Sequence, residues 1–75
     1  MEMPIIDMVL TGHNIEEMRK GRNISVRQLQ AMFGFESPQS IYKWQRGLCL
    51  PTIDNLVALA MIFEVRVDDI LVLAS

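Results

Sequence analysis

The sequence predicts an all-α domain built from five short helices. Glycine, proline and helix-capping residues divide the chain into five segments of helical length, and apolar residues recur within these segments with the spacing of a helix face. No useful length of sequence alternates between polar and apolar residues, as a half-buried strand would. With 75 residues, 51% of them hydrophobic, the chain has room for one small domain with a packed core.

The first two helices are predicted between Thr11 and Gly34. Thr11 is a candidate N-cap for a helix that ends at Gly21. Ser25, followed three residues later by Gln28, has the pattern of a capping box at the start of the second helix. Gly34 is suited to the left-handed conformation that ends this helix. The residues predicted to face inward from these two helices are Ile15, Met18, Val26, Leu29 and Phe33.

The other three helices are predicted from the same kinds of signal. Ser37 and Pro38 are placed as the N-cap and first residue of the third helix, which Gly47 ends. Thr52, after a proline, caps a fourth helix, and a short fifth helix begins near Val67 with acidic residues in its first turn. The residues predicted to face inward are Ile41, Trp44 and Leu48 in the third helix, and Leu56, Leu59, Ala60 and Phe63 in the fourth.

The first ten residues form an apolar segment that fits no helix cleanly. We therefore divide the chain into an N-terminal arm, residues 1–10, and a helical domain, residues 11–75. The favoured interpretation is that the arm folds over the core of its own chain, because a small domain needs all its apolar area. The alternative is that the arm covers a partner subunit.

The composition argues against several classes of protein and site. One cysteine, Cys49, allows no intramolecular disulfide, and with one histidine, His13, it leaves too few ligands for a protein-only zinc site. No apolar run reaches the roughly 18 residues of a membrane span, and a signal-peptide pattern is missing. Because no catalytic triad, paired carboxylates or phosphate loop is found, we predict no enzyme, no cofactor and no small-molecule ligand. These features predict a soluble cytoplasmic protein.

The charge is distributed unevenly along the chain. The formal net charge is −2 and the isoelectric point is near 5.2. Residues 19–46 contain six basic residues and one acidic residue, a net of +5, whereas the rest contains one basic and eight acidic residues, a net of −7. A local positive field attracts a polyanion even when the whole chain is acidic. The alternative is that these residues are ordinary solvated charges.

The predicted second and third helices, joined at Gly34, form a helix-turn-helix pattern. The residues of the wider pattern are Ile15, Glu16, Glu17, Met18, Arg19, Lys20, Ile24, Ser25, Leu29, Gly34, Phe35, Ser40, Ile41, Arg46, Gly47, Pro51, Thr52, Ile53, Leu56, Val65, Asp68, Asp69, Ile70 and Leu71. With these residues the sequence resembles the phage-repressor/Cro-like (XRE-type) helix-turn-helix family over residues 14–71. The resemblance implies a five-helix, lambda-repressor-like DNA-binding domain. Its third helix, about residues 38–46, would enter the major groove of double-stranded DNA, usually as a homodimer.

The resemblance also implies which residues contact DNA. Gln39 matches a position that often reads a base edge. Val26 stands where the family often has a glutamine-like phosphate contact, which leaves Arg27 as the expected substitute at the start of the second helix. The predicted DNA-binding residues are Arg27, Gln39, Ser40, Tyr42, Lys43 and Arg46.

Besides Val26, two further features differ from the family pattern. Gln30 stands where the family commonly has alanine, which allows the two helices to approach closely. The connector from Gly34 to Ile41 is one residue longer than usual, so the third helix starts from an altered turn.

The helical spacing of the third segment agrees with these assignments. Gln39, Lys43 and Arg46 follow one another at i, i+4 and i+7, on the side opposite the predicted apolar stripe. A glutamine amide can pair with adenine through two hydrogen bonds, and a lysine can donate to guanine or phosphate. The alternative is that this side is merely the solvated face of an amphipathic helix.

Two functional hypotheses follow. In the first, the protein is a sequence-specific transcriptional regulator that binds double-stranded DNA as a homodimer. In the second, the same scaffold is a protein-interaction module, such as an antitoxin-like or anti-regulator subunit, which the acidic ends and the apolar arm would suit. A salt series distinguishes them, because binding to DNA weakens steeply with salt.

Overall fold

The computed structural model describes residues 3–74 and confirms the all-α prediction. The five helices in chain order are α1 (Met8–Gly21), α2 (Val26–Phe33), α3 (Gln39–Arg46), α4 (Ile53–Phe63) and α5 (Val67–Ile70). Within the described residues, extended pairing is limited to an isolated antiparallel bridge between Ile6 and Leu73. None of the helices in this part of the chain combines the length and the apolar character needed to cross a membrane.

All five helices contribute to one apolar core. α1 packs mainly against α3 and also contacts α5, which in turn contacts α4. The buried apolar residues are Ile15, Leu29, Ile41, Trp44, Leu59, Ala60, Phe63 and Ile70. Four further residues predicted to face inward are partly buried against this core: Met18, Val26, Phe33 and Leu56. The helical spacing of apolar residues thus predicts the core residues of α1 to α4 correctly except for Leu48, whereas the buried Ile70 of α5 was not among the residues predicted to face inward.

Local capping signals predict most helix ends correctly. The Ser25 hydroxyl accepts a hydrogen bond from the Gln28 amide at 3.0 Å, and the Gln28 side chain accepts one from the Ser25 amide at 2.8 Å, which completes the capping box. Gly34 and Gly47 end α2 and α3 with φ angles of +71° and +74°. Thr52 caps α4 through its hydroxyl, as predicted.

The predicted start of the first helix is wrong. α1 begins at Met8, and Asp7 is its N-cap, with a carboxylate oxygen that accepts a hydrogen bond from the Leu10 amide at 2.9 Å. Thr11 is instead buried within α1, where its hydroxyl accepts a hydrogen bond from the Val72 amide at 3.0 Å. That bond spans 61 positions of the chain, so no local pattern around Thr11 predicts it.

The chain before α1 runs beside the C-terminal segment. The Asp7 amide donates to the Val72 carbonyl, and the Ala74 amide donates to the Ile5 carbonyl, both at 2.7 Å. The described part of the arm is therefore attached to its own chain through the backbone, although the Ile5 side chain remains exposed. Residues 1, 2 and 75, at the outer ends of the arm and the helical domain, lie outside the described residues.

Two predictions for the third helix need correction. Pro38 rather than Ser37 occupies the N-cap, and α3 begins at Gln39, one residue later than predicted. Leu48 does not face inward, because its side chain is 64% exposed. α3 has already ended before Gly47, whose left-handed conformation redirects the chain, so helical spacing no longer determines where Leu48 points.

Candidate nucleic-acid interface

A very close contact with α1 positions α3. Gly12 lies against the backbone of α3, where a Cβ atom on this glycine would be 2.2 Å from the Trp44 carbonyl oxygen and 2.8 Å from that of Gln45. Only a glycine permits this approach without displacing one of the helices. The close packing of α3 on α1 therefore depends on the absence of a side chain at Gly12.

Three aromatic rings join α3 to α2 and to the connector between them. Phe33 and Phe35 stack with ring centres 5.0 Å apart. Trp44 meets both rings edge to face, at 5.6 Å from Phe33 and 5.9 Å from Phe35. Edge-to-face and offset-stacked arrangements are the favourable geometries for aromatic pairs. The cluster fixes the angle between α2 and α3, on which the shape of the outer surface depends.

Arg19 fixes α3 to the loop that precedes α2. Its Nε donates to the Gln45 side-chain oxygen at 2.9 Å, and its Nη1 donates to the Ile24 carbonyl at 2.8 Å. Only 9% of Arg19 is exposed. This arginine, although part of the basic segment, therefore serves the internal structure and does not belong to the outer surface of α3.

Two further basic residues of the segment form ion pairs. Arg22 pairs with Glu64, the residue that ends α4, and Lys20 lies 3.9 Å from Glu16 within α1. The three remaining basic residues are exposed and form no ion pair among residues 3–74: Arg27, Lys43 and Arg46.

Four of the predicted site residues line one shallow pocket on the outer side of α3. The pocket is lined by Pro38, Gln39, Tyr42, Lys43, Arg46 and Leu48. The guanidinium carbon of Arg46 lies 6.0 Å from the centre of the Tyr42 ring, at the outer limit of a cation–π contact. Two cations, an amide and an aromatic ring therefore face solvent together, a combination suited to phosphates and base edges.

A second hollow, a groove, lies between α2 and α3. Its lining residues are Val26, Arg27, Gln30, Ala31, Phe35, Pro38 and Tyr42. Tyr42 lines both hollows, the pocket and the groove. Arg27 of α2 and Tyr42 of α3 therefore line the same groove, which places Arg27 beside the outer surface of α3. Ser40, the remaining predicted site residue, is exposed but lines neither hollow.

Gln30 supports the longer connector. Its side-chain amide donates to the Phe35 carbonyl at 3.2 Å, and so provides a partner for a backbone oxygen in the turn between α2 and α3. The residue that departs from the family pattern thus has a structural role here. It stabilises the connector that also departs from the pattern.

The residues that line the two hollows without having been predicted as site residues are Val26, Gln30, Ala31, Phe35, Pro38 and Leu48. Leu48 was assigned to the core because of its spacing, and no local signal places it outside. Pro38 is the N-cap of α3, and Gln30 lies within α2 with its side chain against the connector, whose unusual length was the available signal for both residues.

One group of side chains in the described residues has the spacing of metal ligands. His13, Glu16 and Glu17 place one ligand atom each within 4.8 Å of one another on α1. Glu16 also lies near Lys20, and exposed acidic groups of this kind are common without a metal. The group belongs to α1 and does not line the two hollows beside α3.

Comparisons with known proteins agree with the helix-turn-helix fold of the chain. A family model described as helix-turn-helix matches residues 15–70. The restriction-modification controller protein C.AhdI from Aeromonas hydrophila has a similar structure, with a TM-score of 0.74 and 20% identity over 85% of this chain and 96% of its own. The DNA-binding domain of BldD has a TM-score of 0.72 and 18% identity over 87% of this chain and 93% of its own. The S. venezulae BldD DNA-binding domain gives the same TM-score, identity and coverage of this chain, and 96% of its own. Curated protein sequences give no match.

Proposed function

Since the chain belongs to the helix-turn-helix family, it is a DNA-binding transcriptional regulator, and we propose that it recognises its operator by placing α3 in the major groove of double-stranded DNA. The observation that carries this proposal is the outer side of α3, where Gln39, Lys43 and Arg46 are exposed around one pocket. The structural similarity to C.AhdI and to the BldD domains supports the proposal through their shared fold.

Each residue of the surface has a separate proposed role. Gln39, the first residue of α3, reads a base edge, and its amide is suited to adenine. Lys43 lies one turn later and donates to guanine or to phosphate. Arg27 binds the DNA backbone from the start of α2, with Arg46, beside the Tyr42 ring, as a further backbone contact. Ser40 is proposed as a hydroxyl contact to the backbone.

The proposal includes a homodimer. A single eight-residue recognition helix makes few contacts with base edges, and proteins of this type commonly gain specificity by binding two half-sites with two-fold symmetry. The half-sites are then expected to lie one helical turn apart, roughly 10 base pairs.

A salt series tests the proposal directly. The operator is first selected from a random duplex pool, and the binding constant is then measured at increasing salt. If Arg27, Lys43 and Arg46 of both copies each neutralise a phosphate, we expect the logarithm of the binding constant to fall linearly with that of salt, with a slope of roughly −5. Failure to enrich any duplex, or binding indifferent to salt, would favour the protein-interaction alternative.

We expect variants of Gln39 and Arg27 to separate base reading from backbone binding. Gln39→Ala is expected to cost about 1–3 kcal/mol on the selected operator and to relax the preference at one or two base pairs. Arg27→Ala is expected to weaken binding to all sequences about equally and to make the salt slope shallower by about two units, one for each copy of the dimer. Binding to a set of single-base operator variants measures both effects.

The control for these variants is thermal unfolding. Both residues are exposed, so neither alanine variant should change the melting temperature appreciably. Tyr42→Ala is measured alongside, because a rotation of α3 that follows from the longer connector would bring Tyr42, and not Gln39, to the base edges. The proposed orientation of α3 on the DNA is wrong if Gln39→Ala leaves the base preferences unchanged and Tyr42→Ala changes them.

A further inference from the structure

We infer that Gln45 sets the affinity for DNA, because it holds the buried guanidinium of Arg19 with a neutral oxygen and so leaves that charge to attract phosphates. Gln45 lies on α3 and is half-buried, and only 9% of Arg19 is exposed. Gln45 acts through Arg19 and needs no contact of its own with DNA, so it is a positioning residue. The inference rests on the proposed function and adds a buried cation to the exposed ones.

Arg19 has hydrogen-bond partners but no counter-ion. Its Nε and Nη1 donate to the Gln45 side-chain oxygen at 2.9 Å and to the Ile24 carbonyl at 2.8 Å, and both acceptors are neutral. Among residues 3–74, no carboxylate oxygen lies within 4.0 Å of a nitrogen of this guanidinium, whereas Lys20 and Arg22 each have a glutamate partner. Since an arginine side chain keeps its charge in proteins, a full positive charge remains beneath the surface.

The two acceptors place this charge behind both elements that the proposed function brings to DNA. Gln45 belongs to α3, and Ile24 precedes Val26, the first residue of α2, by two positions. A charge that is nine-tenths buried is surrounded largely by protein, and salt and water screen it less than an exposed charge. The field of Arg19 therefore adds to that of the exposed cations on the side that faces the phosphates.

A glutamate at position 45 would serve the stability of the free domain better than the glutamine does. It has nearly the same shape, and its carboxylate would form a charge-assisted hydrogen bond with the guanidinium. The pair would relieve the burial of a charge without a counter-ion, and because Gln45 is half-buried the carboxylate would keep part of its hydration. The same pair would cancel the field that reaches the DNA. Glutamine thus costs the free domain some stability and preserves its attraction to a polyanion.

Gln45→Glu tests these opposite effects with Arg19 left in place. We expect the melting temperature of the free protein to rise by about 4 °C. Binding to the selected operator and to an unrelated duplex should both weaken at least about fivefold. The salt slope should become shallower by at most about two units, one for each copy of the dimer. Thermal unfolding and DNA titrations at several salt concentrations measure these quantities.

A matched pair of variants at Arg19 separates its charge from its hydrogen bonds. Arg19→Gln removes the charge and Arg19→Lys keeps it, while both lose the fork of guanidinium donors and should melt at a lower temperature. Only Arg19→Gln should have a shallower salt slope, and it introduces no negative charge, which controls for the carboxylate of Gln45→Glu. Circular dichroism sets the temperature of the binding measurements, at which every variant is folded.

The inference is overturned if Gln45→Glu lowers the melting temperature or leaves the salt slope unchanged. Equal slopes for Arg19→Gln and Arg19→Lys would overturn it as well. Unchanged slopes are the result expected if Gln45 and Arg19 serve the fold alone, because such a role changes the melting temperature without changing the salt dependence. An unmodified chain that binds no duplex would instead contradict the proposed function, while a higher melting temperature of Gln45→Glu would still show the missing counter-ion.

Discussion

Replacing Trp44 with alanine is expected to lower the free energy of unfolding by about 3–5 kcal/mol. Only 4% of this tryptophan is exposed, and its ring contacts those of Phe33 and Phe35. The substitution removes the central member of the cluster that joins α2 to α3, and leaves a cavity that a small core cannot fill easily. For a domain of this size the melting temperature should fall by more than about 12 °C. Thermal unfolding followed by circular dichroism measures the change.

The exposed aromatic residue of the same helix provides the comparison. Tyr42→Ala should change the free energy of unfolding far less, because the Tyr42 ring lies at the surface of α3. The tryptophan fluorescence of the unmodified protein gives a separate check, since a buried indole emits at shorter wavelength than free indole in water. Emission near the wavelength of free indole by the folded chain would contradict the core position of Trp44.

Gly12→Ala is expected to lower the free energy of unfolding by about 3 kcal/mol, the upper part of the range for overpacking. Alanine normally stabilises a helix relative to glycine, by about 1 kcal/mol. Here the added Cβ would lie 2.2 Å from the Trp44 carbonyl oxygen, a backbone atom that cannot rotate away. α1 and α3 would have to separate along their main contact, and such overpacking costs more than the gain in helix propensity. Chemical denaturation measures the loss.

Gly21→Ala is the matched control for this substitution. Gly21 is the last residue of the same helix, and no atom lies within 4 Å of the position that its Cβ would occupy. We expect this variant to be as stable as the unmodified chain or slightly more stable. Equal stability of Gly12→Ala and Gly21→Ala would show that α1 and α3 are not in the close contact described.

The number of helices and most of their ends were predictable from sequence because their causes are local. The capping box of Ser25 and Gln28 joins residues three positions apart, and Gly34 and Gly47 end their helices by adopting a conformation that other residues avoid. The buried stripes follow from the 3.6-residue period. The same reasoning fails at Leu48, because the period applies only while the helix continues.

The start of α1 shows the limit of local signals. Asp7 and Thr11 are both acceptable N-caps by residue type. The choice between them depends on the C-terminal segment, whose Val72 receives a hydrogen bond from the Asp7 amide and donates one to the Thr11 hydroxyl. A pattern search within one helix has no access to a partner so far along the chain.

The sequence by itself determined the five helices, most of their caps, the core and the segment that carries the basic surface. Only the tertiary structure decided which charges remain on that surface. Arg19 is buried against Gln45, and Arg22 pairs with Glu64, 42 positions away. The physical reason is that caps and helix faces arise from neighbours within one or two turns, whereas burial and ion pairing depend on residues that meet only when the helices pack.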